Sequence, residues 1–157
     1  MLDIILPTPL FRVTNVDRRV ALRVWPLVQI AHPDVLQDEW LAYAKAIGSR
    51  RGKAGGAVAI EDGRGYIHAL FAWHVNRTIT RRKALRISDL VVGALPGKPL
   101  AAAIVAAIRS VASDAGADSV MVEIGDRQIP PDALLSDGFE QFVLSCLRID
   151  KTQPAPG

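Results

Sequence analysis

Two early segments carry apolar residues at the spacing of an amphipathic helix. In residues 20–30 the apolar positions form a single stripe, and Asn15 or Asp17 can cap the helix that this stripe predicts. Pro26 lies inside the same segment and predicts a kink or a break, because proline has no amide hydrogen to donate. Residues 35–48 repeat apolar positions at helical spacing and predict a second helix.

After residue 55 the pattern changes to the alternation of β-strands. Residues 56–61, 66–76 and 84–92 predict three strands, and an Asp-Gly turn that begins at Asp62 joins the first two. Residues 11–14 predict an earlier strand before the first helix. Because the connections within the group of three are short, we expect these strands to form an antiparallel meander.

The second half of the chain predicts a parallel crossover. A Gly/Pro-rich loop leads into an alanine-rich helix at 99–115 and then into a strand at 118–124. A short helix and a last strand at 139–150 follow, so the element order is β-α-α-β-β-β-α-β-α-β. This order predicts a mixed α/β fold with a central sheet flanked by helices. We expect one domain over residues 1–152 and a loose tail at 153–157.

Composition narrows the class of protein. Hydrophobic residues make up 50% of the chain and the mean hydropathy is +0.20, which excludes a disordered protein. The net charge of +3 is too small to indicate a nucleic-acid partner, and basic residues do not alternate with stacking aromatics. No apolar run approaches the roughly 20 residues of a membrane span, so we expect a cytoplasmic protein. The single cysteine, Cys146, excludes an internal disulfide and a multi-cysteine metal site.

The loop before the alanine-rich helix is a candidate anion site. Backbone amides at a helix N-terminus point outward and attract phosphate, and Lys98 adds a positive charge there. Pro99 is compatible with the first helical position. The run from Gly93 to Lys98 is not a nucleotide-binding P-loop, because no Ser or Thr follows the lysine. The alternative is a plain Gly-Pro helix start without a ligand.

Two segments carry a family resemblance. Asp89-Leu90-Val91-Val92, the loop, the helix and Ala117-Asp118-Ser119-Val120 are similar to the strand, pyrophosphate loop and helix of the GNAT superfamily of N-acyltransferases. Residues 134–140 resemble a second motif of that family, and the element order matches over almost the whole chain. The resemblance implies a mixed sheet of about six or seven strands, splayed between the third meander strand and the strand at 118–124.

The resemblance also implies acetyl-CoA as a co-substrate and no metal. It places the acetyl-CoA contacts on the end of the third meander strand and on the loop and helix start: Val91, Val92, Gly97, Lys98, Leu100 and Ala101. Pro96 and Pro99 depart from the family pattern, and Pro99 removes one amide donor from the helix start.

The reaction that the resemblance implies requires a general base near the thioester, to take the proton of the attacking amine. Asp89 is the first candidate, because it interrupts an apolar strand immediately before the loop, and Glu123 on the next strand is the second. For each of them the alternative is an exposed or cap-type carboxylate, and for Asp89 also a structural pair with Arg86 or a loop arginine. Leu134 occupies the position where the family usually has a tyrosine as the general acid. We therefore expect the CoA thiolate to take its proton from water. His68 and His74 share a strand face and are weaker candidates.

We therefore expect an N-acyltransferase that moves an acetyl group from acetyl-CoA to an amine by direct attack. The expected acceptor is a small molecule or a peptide amine. The alternative is a catalytically inactive GNAT-fold module that binds CoA or regulates a partner. We expect no nucleic-acid partner and no membrane contact, and a homodimer stays open.

Overall fold

The computed structural model describes residues 10–49, 54–80, 82–93 and 98–123. Their helices and strands follow the predicted order as far as the strand after the long helix. In chain order the elements are β1 (Phe11–Asn15), α1 (Arg18–Ala31), α2 (Gln37–Gly48), β2 (Gly55–Asp62), β3 (Ile67–Arg77), β4 (Lys83–Val92), α3 (Lys98–Ala115) and β5 (Ser119–Val122). The predicted short helix and the predicted strand at 139–150 lie outside the described residues.

The first helix differs from its prediction at Pro26. α1 begins after Asp17, whose Oδ1 accepts a hydrogen bond from the Val20 amide at 2.8 Å, so Asp17 is the cap. The helix then continues through Pro26 to Ala31, so the predicted break is wrong, whereas the alternative of a kink at Pro26 stays a prediction. The buried face of the helix extends across the proline, since Val24 and Val28 are both buried. This packing offsets the hydrogen bond that proline cannot make.

The sheet is mixed and has five strands in the described residues, in the order β1-β2-β3-β4-β5. β1, β2, β3 and β4 pair with one another in antiparallel orientation, which confirms the meander. β5 pairs with β4 in parallel from Ala84 opposite Ser119 to Ile87 opposite Val122. The crossover through α3 is therefore confirmed. β4 continues to Val92, whereas β5 ends at Val122 and the described residues end at Glu123. The splay between the two strands therefore stays a prediction.

Each face of the sheet is covered by a helical layer. α3 packs on one face, and α1 with α2 packs on the other. Alternate residues of the strands supply the two cores, as the period of two requires: Val58, Ile60 and Phe71 face α3, whereas Ala57, Ala59 and Leu70 face α1 and α2. None of the helices in these described ranges is long and apolar enough to cross a bilayer.

α3 ends in a Schellman motif. Gly116 has a φ of +63°, its amide donates to the Ser113 carbonyl at 3.1 Å, and the Ala117 amide donates to the Ala112 carbonyl at 2.9 Å. These two bonds satisfy carbonyls that the last helical turn would leave unpaired. The motif ends the helix and turns the chain directly into β5.

The turn between β2 and β3 also requires a positive φ. Gly65 has a φ of +84°, and a Cβ built there would lie 3.3 Å from a guanidinium nitrogen of Arg23. We expect Gly65→Ala to lower the free energy of unfolding by about 1–2 kcal/mol, because an L-residue is strained in this region. Gly63→Ala in the same turn is the matched control, since nothing lies within 4 Å of its added Cβ. Urea denaturation would contradict the account if both variants lost equal stability.

Candidate active site

A bulge in β4 directs Asp89 out of the sheet. The register of β3 and β4 shifts between Leu70 and Ala72, so that Phe71 lies opposite both Asp89 and Leu90. Asp89 has a φ of +51° and is exposed. Among the described residues it is the only non-glycine with a positive φ. The extra residue is the reason that a carboxylate can stand in an apolar strand.

The bulge also reverses which β4 residues face each core. Before the bulge Leu85 and Ile87 pack toward α3, and after it Leu90 does so, although its number has the opposite parity. Val91 consequently turns toward α1 and α2. A regular strand would direct residue 89 into the core under α3. Because of the bulge, Asp89 meets solvent instead, and its charge is not buried.

Asp89 has a hydrogen-bond partner from α2. The Tyr43 hydroxyl donates to Asp89 Oδ2, and Tyr43 is 39% exposed. The expected ion-pair partner, Arg86, contacts Glu123 and not Asp89. The structural alternative based on Arg86 is therefore wrong. The residue that holds Asp89 stands 46 positions earlier in the chain, and no local sequence pattern connects the two.

The environment of Tyr43 keeps its hydroxyl protonated. Partial burial raises the pKa of Tyr43 well above its ordinary value, and the hydrogen bond to Asp89 and the charge of that carboxylate raise it further. Its ring lies against Trp40, with centroids 5.9 Å apart, and the Trp40 indole donates to the Ala21 carbonyl at 2.8 Å. The phenol is therefore a fixed hydrogen-bond donor at neutral pH.

Glu123, the second candidate base, is paired. Its amide donates to the Ile87 carbonyl at 2.9 Å and extends the β4–β5 ladder by one bond. Its side chain accepts from the Arg86 guanidinium, and the two side chains are 40% and 43% exposed. Since the guanidinium already neutralises this carboxylate, Glu123 is less available than Asp89 to receive a proton.

The residues expected to contact acetyl-CoA fall into two groups. Val91 is buried, and Val92 is half-buried at the end of β4. α3 begins at Lys98, one residue before the predicted start, and Leu100 is buried in the core that Leu90 also joins. The first turn of α3 and the bulged part of β4 therefore contribute to the same hydrophobic cluster. Ala101 is half-buried in the first turn of the helix. The remaining candidate, Gly97, lies outside the described residues.

His68 is the second residue of β3, next to the β2–β3 turn. Its Nε2 lies 2.9 Å from Asp62 Oδ2, and its ring meets Phe11 edge-on at 5.7 Å. The hydrogen bond to His68 lowers the pKa of Asp62. The His68 carbonyl accepts from the Gly93 amide at 2.7 Å, which ties the turn to the end of β4. These contacts give His68 a structural role at this end of the sheet.

Glu61 is a charged core residue that the sequence analysis did not single out. It is 1% exposed, and its carboxylate accepts from Arg12 on β1 and from Arg23 on α1, the latter at 2.6 Å. Arg23 also donates to the Gly65 carbonyl. The two arginine hydrogen bonds lower the pKa of Glu61, Arg12 having the larger effect, while burial acts in the opposite direction. This cluster joins β1, α1 and β2.

A surface cavity of about 490 Å³ lies away from these residues. Asn15, Trp73 and Asp114 are among the residues that line it. Asp114 stands in the last turn of α3, so the cavity is at the opposite end of that helix from the candidate cofactor loop. In the ranges that the structure describes, no three His, Cys, Asp or Glu side chains lie together as metal ligands would.

Comparison with known proteins identifies the fold. No family profile matches the sequence, and no curated protein matches it. Among solved structures, glucosamine-6-phosphate N-acetyltransferase from Arabidopsis thaliana superposes with a TM-score of 0.70 at 16% identity, covering 88% of this chain and 97% of that chain. The ribosomal-protein-alanine N-acetyltransferase from Brucella melitensis biovar Abortus 2308 gives a TM-score of 0.65 at 17% identity, over 89% and 98%.

A third similar structure is a GNAT family acetyltransferase from Staphylococcus aureus, with a TM-score of 0.70 at 9% identity over 88% and 98% of the two chains. The chain therefore has the GNAT fold, as the resemblance in its sequence implied. At these identities the likeness extends to the fold alone. The names of these neighbours include both a sugar phosphate and a ribosomal-protein alanine, so the fold does not specify an acceptor.

Proposed function

We propose that this protein is an N-acyltransferase that transfers an acetyl group from acetyl-CoA directly to an amine. The observation that carries the proposal is the β4 bulge, which presents the Asp89 carboxylate to solvent, while the next residue, Leu90, joins the core cluster that contains Leu100 of the first turn of α3. In a GNAT fold this arrangement combines an exposed carboxylate with a helix N-terminus that suits a pyrophosphate. The acceptor is a small-molecule or peptide amine, and the proposed location is the cytoplasm.

The residues at the start of α3 fit the anionic part of acetyl-CoA. The amides of Lys98, Leu100 and Ala101 belong to the first helical turn, where no intrahelical carbonyl is available to them. We propose that the positive charge of Lys98, the first residue of α3, contributes to pyrophosphate binding. Val91 and Val92 contribute the strand edge along which the pantetheine arm would lie. Gly97 completes the proposed set in the loop.

Asp89 is the proposed general base. The amine nitrogen attacks the thioester carbonyl, a C–N bond forms, and the proton released from nitrogen passes to the Asp89 carboxylate directly or through a water. The C–S bond then breaks, and the CoA thiolate leaves and takes a proton from water. Glu123 is the second candidate for the base, although Arg86 already occupies its carboxylate.

A second function has one observation in its favour. Pro99 supplies no amide to the first turn of α3, and Pro96 stands in the loop where the family pattern has a polar residue. A weakened pyrophosphate site would suit a GNAT-fold module that binds CoA without catalysis or regulates a partner. Thermal unfolding with acetyl-CoA and with desulfo-CoA first measures whether the site binds its ligand, since binding raises the midpoint by mass action.

Transfer itself is tested on a panel of amines. The panel contains glucosamine 6-phosphate, an alanine-initiated peptide and a lysine peptide, and mass spectrometry detects an acetylated product. Acetyl-CoA binding together with a product supports the acyltransferase. Binding without any product on a broad amine library favours the inactive module. The absence of acetyl-CoA binding would remove both proposals.

Lys98→Glu should weaken acetyl-CoA binding by about 10- to 100-fold. The reason is that a charge-assisted hydrogen bond to phosphate contributes roughly 1.5–3 kcal/mol and that the new carboxylate repels the ligand. Isothermal titration calorimetry measures the change. Arg18→Glu is the matched control, because Arg18 is the first residue of α1 and the variant has the same charge change at another helix start. Equal losses in the two variants would indicate a general charge effect and contradict the site.

A further inference from the structure

Asp89 is constrained by two parts of the structure at once. Its backbone is fixed in the left-handed region at a φ of +51° by the bulge opposite Phe71. Its side chain is fixed by the Tyr43 hydroxyl, which comes from α2. A non-glycine residue keeps such a backbone conformation only where its surroundings determine it, and such positions are common at functional sites.

The donor that holds Asp89 is itself held from a third element. The Tyr43 ring contacts the Trp40 ring on the same helix, and the buried Trp40 indole donates to the Ala21 carbonyl of α1. Trp40 is 4% exposed, whereas Tyr43 is 39% exposed. The pair therefore connects the packed interface of α1 and α2 to the solvent-exposed carboxylate on β4.

We propose that Tyr43 is a positioning residue for the acyl transfer: its hydroxyl fixes Asp89 Oδ2, so that Oδ1 faces the incoming amine. This inference rests on the proposed function. None of the hydrogen bonds among the described residues ends on Asp89 Oδ1. One oxygen thus serves to orient the carboxylate, and the other is available to accept a proton.

Tyr43 does not take the place of the tyrosine acid that Leu134 lacks. An acid must release its proton to the departing thiolate, and a phenol beside a carboxylate holds its proton more firmly than a free phenol does. The Tyr43 hydroxyl is also already used, because it donates to Asp89. Its contribution is to orient the base, while the thiolate still receives its proton from water.

The pair can be tested without any acceptor. The chain has two tyrosines, Tyr43 and Tyr66, so a Tyr66→Phe background leaves Tyr43 as the single tyrosine signal. We expect tyrosinate absorbance in this background, recorded by stopped-flow pH jumps before alkaline unfolding, to develop at a lower pH once Asp89→Asn removes the neighbouring charge. An identical titration curve with and without Asp89→Asn would show that the two side chains do not meet in solution, and it would overturn the proposal.

Kinetics then separate positioning from a purely structural tie between α2 and β4. With acetyl-CoA and an amine of the panel that the parent acetylates, Tyr43→Phe should lower kcat by about 10- to 100-fold, the effect of a displaced reacting group. The KM for acetyl-CoA and the melting temperature should stay close to those of the parent. In an Asp89→Asn background the same change should cause no further loss, because the two residues act as one unit.

The outcomes distinguish this inference from the proposed function. A parent protein that acetylates no amine removes the function and the inference together. An active parent whose Tyr43→Phe variant keeps the full kcat leaves the function standing and overturns only the positioning role. A loss of kcat that multiplies with that of Asp89→Asn would also overturn it, since independent effects are additive in free energy. Tyr66→Phe, at the exposed β2–β3 turn, is the control for tyrosine removal.

Discussion

Asp89→Asn should reduce kcat/KM for amine acetylation by about 10²–10⁴-fold, the usual contribution of a general base. The expected loss corresponds to roughly 3–5 kcal/mol of transition-state free energy. Acetyl-CoA binding should persist, because the proposed pyrophosphate contacts lie in the loop and the first turn of α3. Steady-state kinetics and calorimetry on the same preparation measure both quantities.

Asp89→Asn removes the negative charge of the side chain and preserves its other contacts. Asparagine tolerates a positive φ about as well as aspartate does, so the backbone at +51° is preserved. Its side-chain oxygen can still accept the Tyr43 hydroxyl hydrogen. The variant therefore keeps the bulge and the contact to α2, and it loses the ability to take a proton from the amine.

Glu123→Gln is the comparison variant for this test. Glu123 is the second candidate base, but its carboxylate is paired with Arg86, so we expect a smaller effect on kcat/KM than that of Asp89→Asn. A full rate in Asp89→Asn combined with a large loss in Glu123→Gln would assign the base to Glu123. Full rates in both variants would mean that neither carboxylate takes the proton.

The helices and the meander could be predicted because their signals are local. Apolar residues repeat every three or four positions in α1 and α2 and every two positions in β2 and β3, and each period follows directly from the geometry of its element. The capping aspartate, Asp17, also acts within three residues of its partner. Pro26 was the exception, because the packing of α1 on the sheet outweighed a local signal.

The site could be predicted only in part. Asp89 was identifiable because a carboxylate interrupts an apolar strand, yet the bulge that exposes it depends on the register of β4 against β3. Its partner Tyr43 reads as an ordinary member of an amphipathic helix. The arginines that hold Glu61 stand 49 and 38 positions away in the chain. Such contacts arise from tertiary packing, which no periodicity in one segment encodes.

Removing the buried charge of Glu61 should strongly affect the stability of the protein. Glu61→Gln should lower the free energy of unfolding by about 2–4 kcal/mol at neutral pH. The glutamine keeps the shape of the buried side chain, and its oxygen can still accept from one guanidinium, but its NH2 group only donates and therefore faces the other guanidinium without an acceptor. Because the Arg12 and Arg23 side chains are 75% and 45% exposed, water compensates part of their loss, and we expect less than for a fully buried ion pair.

Chemical denaturation of Glu61→Gln beside Glu123→Gln provides the matched comparison. Both variants neutralise a glutamate that is paired with arginine, but Glu123 is 40% exposed and Glu61 is 1% exposed. The exposed pair should contribute less than about 1 kcal/mol. Similar losses in the two variants would indicate that burial adds nothing at Glu61 and would contradict the account of the cluster.

The stabilising effect of Glu61 should also depend on pH, and the direction of this dependence can be predicted. Hydrogen bonds from Arg12 and then Arg23 lower the pKa of Glu61 in the folded protein below the ordinary value of 4.5. The stabilising contribution is therefore complete above that ordinary value, and it is lost as the pH falls through the lower pKa of the folded state. The difference in stability between the parent and Glu61→Gln should be constant near neutrality and shrink below about pH 4. A difference that stays constant into the acid range would show that the carboxylate charge does not hold β1, α1 and β2 together.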